Sequence, residues 1–218
     1  MTRLTAGVGG MDDIDRDWPA TPASALQLLV EGNKRFVAGE RLHPHQDADH
    51  RTALAPAQRP FAVLFGCSDS RLAAEIIFDQ GLGDLFVVRT AGHVIGPEVL
   101  GSIEYAIAAL DTPLIAVLGH DSCGAIAAAL EAVRHGTQPD GFIRDVVERV
   151  MLSVLAVRQQ ALDDTDAAVE EHIRYTVDLL LRRSKVIADR LADGRLGMVG
   201  LSYGLSEGTV RRIAGHGV

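Results

Sequence analysis

Three uninterrupted apolar runs constrain the fold of this chain more than any other feature. They are FAVLFG (61–66), LFVVR (85–89) and LIAVLG (114–119). Runs that are apolar at every position, rather than at alternate positions, are typical of strands covered on both faces, as in a parallel sheet. A later run, LGMVGLSY (196–203), predicts one more strand. Apolar residues with helical spacing lie between these runs, at Val99–Leu110, Ile143–Val154 and Val169–Leu180.

Strands that alternate with helices predict an α/β fold with a mainly parallel central sheet flanked by helices. The chain has 218 residues and shows no repeat or linker, so we expect a single α/β domain over residues 23–218. Residues 1–22 are rich in Gly, Asp and Pro without periodicity, which predicts a flexible N-terminal arm. From Ser24, helical spacing predicts a helix that ends at Gly39, and HPHQDADH (43–50) reads as a loop.

Charge and hydropathy narrow the choice of partners. The net charge is −8 and the sequence pI about 5.4, which argues against a nucleic-acid or anionic-membrane partner. The sequence contains no run of about 18 apolar residues, so we expect no transmembrane helix. The N-terminus lacks the apolar core of a signal peptide, and we therefore predict a cytoplasmic protein. Hydrophobic residues make up 47% and mean hydropathy is +0.14, which favours apolar surface buried between subunits.

Reactive side chains follow two of the predicted strands. GCSDSR (66–71) places Cys67, Asp69 and Arg71 after the first run, and GHDSCG (119–124) places His120 and Cys123 after the third. Ligands of α/β folds gather at the carboxyl ends of the strands. If the two strands are neighbours, both loops open on the same edge of the sheet, and the two thiols and the imidazole could meet around one ion.

Two thiolates and one imidazole are suitable ligands for Zn²⁺. Three protein ligands leave a fourth position for water or substrate, whereas Asp69 in that position would close the site. The sequence therefore offers an open catalytic site or a closed site with four protein ligands. Two plainer readings stay open: Cys67 and Cys123 as inert buried thiols, and Asp69 with Arg71 as a surface ion pair.

The combined pattern resembles the β-class carbonic anhydrases, and most closely their actinobacterial members. The resemblance rests on C-x-D-x-R at residues 67–71 and H-x-x-C at residues 120–123. It extends through PFAVLFGCSDSR, GDLFVVRTAGHV, LGSIEYAI and LIAVLGHDSCGA, which cover most of residues 58–126. The resemblance implies reversible hydration of carbon dioxide to bicarbonate by a zinc-bound hydroxide. It also implies an α/β subunit that dimerises through helix exchange, giving a homodimer or a homotetramer.

The resemblance also implies roles for particular residues. Cys67, His120 and Cys123 would bind one zinc ion per subunit. Asp69 would bind the metal in a closed form and be drawn off it by Arg71 in an open form, so that the pair gates the metal. Gln58, nine residues before Cys67, matches the family glutamine that hydrogen-bonds substrate.

Leu64 departs from the family pattern at a position that is linked to regulation by bicarbonate. Family members that bicarbonate inhibits carry a tryptophan three residues before the first zinc cysteine, where this chain has Leu64. Arg89 and Tyr203 match the other members of that pocket but can equally be structural. The sequence therefore leaves a non-catalytic bicarbonate site in doubt.

Other functions are alternatives to the hydration of carbon dioxide. Relatives of the fold hydrolyse carbonyl sulfide or carbon disulfide with the same ligands, and a non-catalytic zinc- or bicarbonate-binding protein is a further alternative. Two thiolates neutralise the charge of zinc, which makes the metal a weaker Lewis acid than one held by three histidines. We therefore predict that activity increases towards alkaline pH.

Overall fold

The computed structural model describes residues 18–156 and 164–218. Each of the four strands predicted from the apolar runs is present within a residue or two of its predicted bounds. These four strands are β1 Ala62–Cys67, β2 Leu85–Thr90, β3 Leu114–His120 and β4 Gly197–Tyr203. A fifth strand, β5 Val210–His216, was not predicted. The helices are α1 Pro22–Ala38, α2 Ala48–Leu54, α3 Ala74–Ile77, α4 Pro97–Ala109, α5 Gly124–His135, α6 Ile143–Val154, α7 Thr165–Arg183 and α8 Lys185–Ala192, with a 3₁₀ turn at Ala91–His93.

The five strands form one sheet in the order β2-β1-β3-β4-β5. Strands β1 to β4 are parallel, and β5 runs antiparallel to β4 at one edge. This confirms the predicted fold class, a mainly parallel central sheet flanked by helices. Because β1 lies directly beside β3, with Gly66 opposite Leu118, the loops that follow these two strands open side by side.

Both faces of the sheet are covered, which explains why its central strands are apolar at every position. Ala62 and Leu64 pack into a core with α1, α5 and α6, whereas Val63 and Phe65 pack into a second core with α4 and α8. Every residue of β1 and β3 is buried. At about 25 cal/mol for each Å² of apolar surface removed from water, these two layers supply most of the driving force for folding.

The N-terminal helix has well-defined ends. Thr21 caps α1 through its side chain, and Gly39 ends it in the left-handed conformation with φ 73°. This helix confirms the one predicted from Ser24 onward. Before it, the Trp18 ring packs edge-on against Phe61 with the ring centroids 5.9 Å apart. Residues 1–17, most of the predicted flexible arm, lie outside the described residues, so that part of the arm stays a prediction.

One local assignment differs from the sequence-based expectation. The polar stretch 43–50 is not all loop, because the Asp47 side chain accepts a hydrogen bond from the His50 amide and α2 begins at Ala48. The charged segment after residue 164 forms two helices, since α7 ends at Arg183 and the Ser184 hydroxyl caps α8. Within the described ranges, none of the helices combines the length and the apolar character that a membrane span requires.

Candidate metal centre

The ends of β1 and β3 bring together the three residues with the strongest metal-binding chemistry. Cys67 is the last residue of β1, His120 is the last of β3, and Cys123 precedes α5 as its N-cap residue. Their ligand atoms, two sulfurs and one ring nitrogen, all lie within 4.8 Å of one another, and all three residues are buried. The expected convergence of the two loops is therefore observed.

His120 is oriented as a metal ligand would be. Its Nδ1 lies 2.7 Å from the carbonyl oxygen of Asp121, and a carbonyl can only accept a hydrogen bond, so Nδ1 carries the proton. The lone pair is then on Nε2, which is buried and has no hydrogen-bond partner among the described residues. Buried polar atoms without a partner are rare in proteins, and here the atom faces two sulfurs. A metal ion would satisfy it.

The two cysteines are free thiols with different surroundings. The pKa of Cys67 is lowered, first by a hydrogen bond from the Cys123 thiol and then by contacts with His120 and the backbone amide of Gly92. The pKa of Cys123 is raised because a thiolate lies beside it and because it is buried. Of the two thiols, Cys67 is therefore the first to ionise, and a bound divalent cation would favour ionisation of both.

The donor set fits zinc. Two thiolates and one neutral imidazole at these separations can occupy three corners of a tetrahedron with bonds of about 2.3 Å to sulfur and about 2.0–2.1 Å to nitrogen. Softness of the sulfur ligands also disfavours magnesium and calcium, which take oxygen ligands. The residues present therefore match a zinc site with one position left for another ligand.

Asp69 is turned away from this group and towards Arg71. The Arg71 guanidinium donates from Nε to Oδ1 over 2.9 Å and from Nη2 to Oδ2 over 2.7 Å, and the Arg71 amide also donates to Oδ1. These bonds hold the pKa of Asp69 well below its usual range. Oδ2 nevertheless lies only 4.0 Å from His120 Nε2, so the carboxylate borders the fourth ligand position.

Arg89 fixes the backbone of the same loop. Its guanidinium donates from Nε to the Cys67 carbonyl over 2.9 Å and from Nη2 to the Asp69 carbonyl over 2.5 Å. Through these two contacts Arg89 stabilises the backbone of the loop that carries Asp69 and Arg71. Tyr203, which the sequence paired with Arg89, is buried at the end of β4, and burial raises its pKa.

Gln58 lies far from the three clustered residues of its own chain. It precedes β1, whereas Cys67 ends it, and β1 spans about 17 Å from Ala62 to Cys67 at about 3.3 Å per residue. Gln58 instead lines a different pocket, together with Trp18, His50 and Leu82. Its predicted contact with substrate is therefore not made within one subunit.

Two buried histidines, His93 and His172, and two partly buried ones, His45 and His50, make contacts that sequence spacing did not reveal. His93 is buried against Phe65 and His172, with ring centroids 6.2 and 4.4 Å away. In the loop before α2, His45 contacts the Asp84 carboxylate at 2.6 Å and stacks on His50 at 4.6 Å. His172 could not be identified from the sequence, because a histidine in an amphipathic helix looks like any polar surface residue.

Comparison with known proteins gives a consistent family match. A family model described as "Carbonic anhydrase" matches residues 62–210, more than half of the chain. The "Carbonic anhydrase 2" of Mycobacterium tuberculosis is 58% identical over 187 residues, which cover 86% of this chain and 90% of that protein. The "Carbonic anhydrase" of Mycolicibacterium smegmatis is 55% identical over 191 residues, covering 88% of this chain and 93% of that protein.

Solved structures share the architecture. The fold is similar to that of two β-carbonic anhydrases from Sordaria macrospora, described as tetrameric, with a TM-score of 0.68. Sequence identity to that structure is 21%, and the match covers 87% of this chain and 98% of the other. These findings confirm the resemblance that the strand-end motifs predicted, including its actinobacterial character.

Proposed function

Since the chain belongs to the β class of the carbonic anhydrase family, we propose that it hydrates carbon dioxide reversibly to bicarbonate at one zinc ion held by Cys67, His120 and Cys123. The observation that carries this proposal is the cluster of two sulfurs and one unpartnered buried ring nitrogen within 4.8 Å. When bound there, zinc supplies a Lewis acid that makes a water molecule nucleophilic near neutral pH.

Asp69 is the residue best placed to orient the reacting water. Its Oδ2 borders the fourth ligand position, 4.0 Å from His120 Nε2, and its lowered pKa keeps it ionised at neutral pH. An ionised carboxylate accepts a hydrogen bond from the water and directs the oxygen lone pair at carbon dioxide. Arg71 holds the carboxylate in this orientation through a bidentate, charge-assisted pair.

The same pair is proposed as a gate. The lowered pKa means that Asp69 remains an anion as pH falls below neutrality, so it keeps its capacity to bind a cation. At low pH the fourth ligand position would hold water instead of hydroxide, and water is the more easily displaced. We propose that Asp69 then leaves Arg71 and takes that position, which shuts the site. A crystal structure at low pH is expected to show this exchange; an intact Asp69–Arg71 pair there would contradict it.

Assembly is proposed to complete the substrate site. Strand β2 forms an edge of the sheet, and beside it the Phe86 and Tyr105 rings lie 6.3 Å apart, with Tyr105 46% exposed. An unpaired apolar edge of this kind invites a second chain. We propose a homodimer or homotetramer in which Gln58 reaches the substrate site of the neighbouring subunit, since it lies too far from the metal ligands of its own.

A mixing experiment tests this shared site. Subunits with Cys67→Ser and subunits with Gln58→Ala, each impaired alone, are refolded together in equal amounts. Random pairing makes half of the dimers mixed, and each mixed dimer then holds one intact site, so about a quarter of the wild-type activity is expected to return. No gain over the sum of the separate variants would show that Gln58 acts within its own chain or not at all.

The activity itself is tested by stopped-flow hydration of carbon dioxide between neutral and alkaline pH, with zinc counted per subunit. We expect one zinc per subunit and a rate that rises with pH. Sulfide release from carbonyl sulfide, assayed on the same sample, distinguishes the alternative substrate. Faster hydrolysis of carbonyl sulfide than hydration of carbon dioxide would reject the proposed reaction, and a zinc-loaded protein without either activity would indicate a binding protein.

A further inference from the structure

His172 touches none of the three proposed ligands, yet two hydrogen bonds connect it to one of them. The ring is buried in the middle of α7, and its Nε2 lies 2.8 Å from the carbonyl oxygen of Gly92. A carbonyl only accepts, so Nε2 carries the proton and donates. The amide of Gly92 in turn donates to Cys67 Sγ over 3.3 Å. The connection therefore runs from His172 through Gly92 to a sulfur of the metal centre.

Ser153 holds the imidazole on its other side. The Ser153 hydroxyl, fully buried on α6, lies 2.7 Å from His172 Nδ1. Burial lowers the pKa of His172 to about 4, so the ring is neutral at physiological pH and its Nδ1 can only accept a hydrogen bond. The single Ser153 hydroxyl proton is shared between this nitrogen and the Val150 carbonyl oxygen, which also lies 2.7 Å from the hydroxyl. Both nitrogens are thus engaged, and the ring is fixed between α6 and the turn that contains Gly92.

Gly92 is a residue whose orientation needs such support. Its φ is +60°, and a Cβ at this position would lie 2.7 Å from the Cβ of Ala125, so only glycine fits. Glycine has the widest conformational freedom of any residue, and a peptide that must aim its N–H at a sulfur gains precision from an outside contact. The His172 ring provides that contact at the carbonyl of the same residue.

We propose that His172 is a positioning residue of the zinc centre: it holds the Gly92 backbone so that the amide stays on the Cys67 sulfur. An N–H hydrogen bond fixes the Cys67 sulfur and stabilises the thiolate over the thiol, and both effects favour zinc binding. It also reduces the charge that the sulfur would donate to the metal, which favours the Lewis acid that hydration requires. The consequence for turnover rests on the proposed function. The consequence for metal binding does not, because it concerns only the sulfur and its partner.

The test compares two substitutions at this position. His172→Leu removes the donor and keeps an apolar side chain of moderate size, whereas His172→Gln retains an N–H able to reach the Gly92 carbonyl. Zinc affinity is measured by competition with a chromophoric chelator, and the cobalt-substituted proteins give the sulfur-to-metal charge-transfer band. We expect His172→Leu to bind zinc about tenfold more weakly, to shift this band and to lower kcat/KM, and His172→Gln to restore most of each loss.

A matched control separates positioning from packing. Thr176 is buried one turn further along the same face of α7 and takes no part in the bridge to Gly92, so Thr176→Val should leave zinc affinity and the cobalt band unchanged. Equal impairment of the leucine and glutamine variants, or no change in either, would overturn the proposal. Should His172→Leu fail to fold, Ser153→Ala replaces it; a smaller loss of affinity is expected, and unchanged affinity would count against the proposal.

The two proposals fail in different ways. A wild-type protein that binds zinc but does not hydrate carbon dioxide would refute the proposed function. The difference in zinc affinity between the leucine and glutamine variants would still hold in that case, and it alone decides the role of His172.

Discussion

Replacing Cys67 with serine should remove stoichiometric zinc and reduce carbon dioxide hydration at least about a thousandfold. A serine hydroxyl does not ionise near neutral pH, so the site would keep only one thiolate and one imidazole. The loss corresponds to about 4 kcal/mol of transition-state stabilisation, the order expected when a metal no longer acts as Lewis acid. Zinc content by elemental analysis and stopped-flow hydration on the same preparation measure both effects.

Ser70→Ala is the control for this prediction. Ser70 is exposed in the same loop, three residues after Cys67, and belongs to none of the proposed contacts with metal or substrate. The control should bind one zinc per subunit and keep wild-type activity. A Cys67→Ser protein that retained stoichiometric zinc would contradict the assignment of this residue as a ligand.

Replacing Arg71 with alanine should lower kcat/KM about a hundredfold while leaving zinc in place. Without the guanidinium fork, Asp69 loses the hydrogen bonds that hold it beside the fourth ligand position and is free to bind the metal itself. Arg71→Lys keeps the charge but not the two parallel N–H donors, so we expect it to recover only part of the activity. Stopped-flow kinetics with parallel zinc analysis distinguish loss of chemistry from loss of metal.

The chain supplies a matched control for this second prediction. Arg195 forms an ion pair with Asp193, also two residues away, with Nη2 2.7 Å from Oδ2 and both side chains exposed. Its replacement by alanine removes the same kind of contact at a position outside the metal centre, and activity should not change. Arg71→Ala activity equal to that of the wild type would remove Asp69 and Arg71 from the mechanism.

Much of the fold follows from the sequence because β1 and β3 are buried on both faces. Their unbroken apolar runs have few alternatives to a covered parallel strand, and the glycine and polar residues at their ends mark where the chain turns. α2 was less visible, since its residues are exposed and its start depends on a local hydrogen bond from the Asp47 side chain. Local polar capping of this kind leaves a weaker pattern than burial does.

The candidate site was predictable to the extent that its residues are neighbours in sequence. Cys67 with Asp69, and His120 with Cys123, share short motifs, and strand order brings the two motifs together. The bond from His172 to Gly92 joins residues 80 positions apart, and no spacing rule indicates it. The distance of Gln58 from Cys67 was also hidden, because nine residues along a chain become opposite ends of a strand only once β1 is extended.

Zinc K-edge X-ray absorption of the purified protein shows directly whether sulfur and nitrogen ligands hold the metal. We predict one zinc per subunit with two sulfur neighbours at about 2.3 Å and two nitrogen or oxygen neighbours at about 2.0–2.1 Å, one of them His120. A protein purified without chelators that contains no stoichiometric zinc, or whose zinc has only nitrogen and oxygen neighbours, would contradict it.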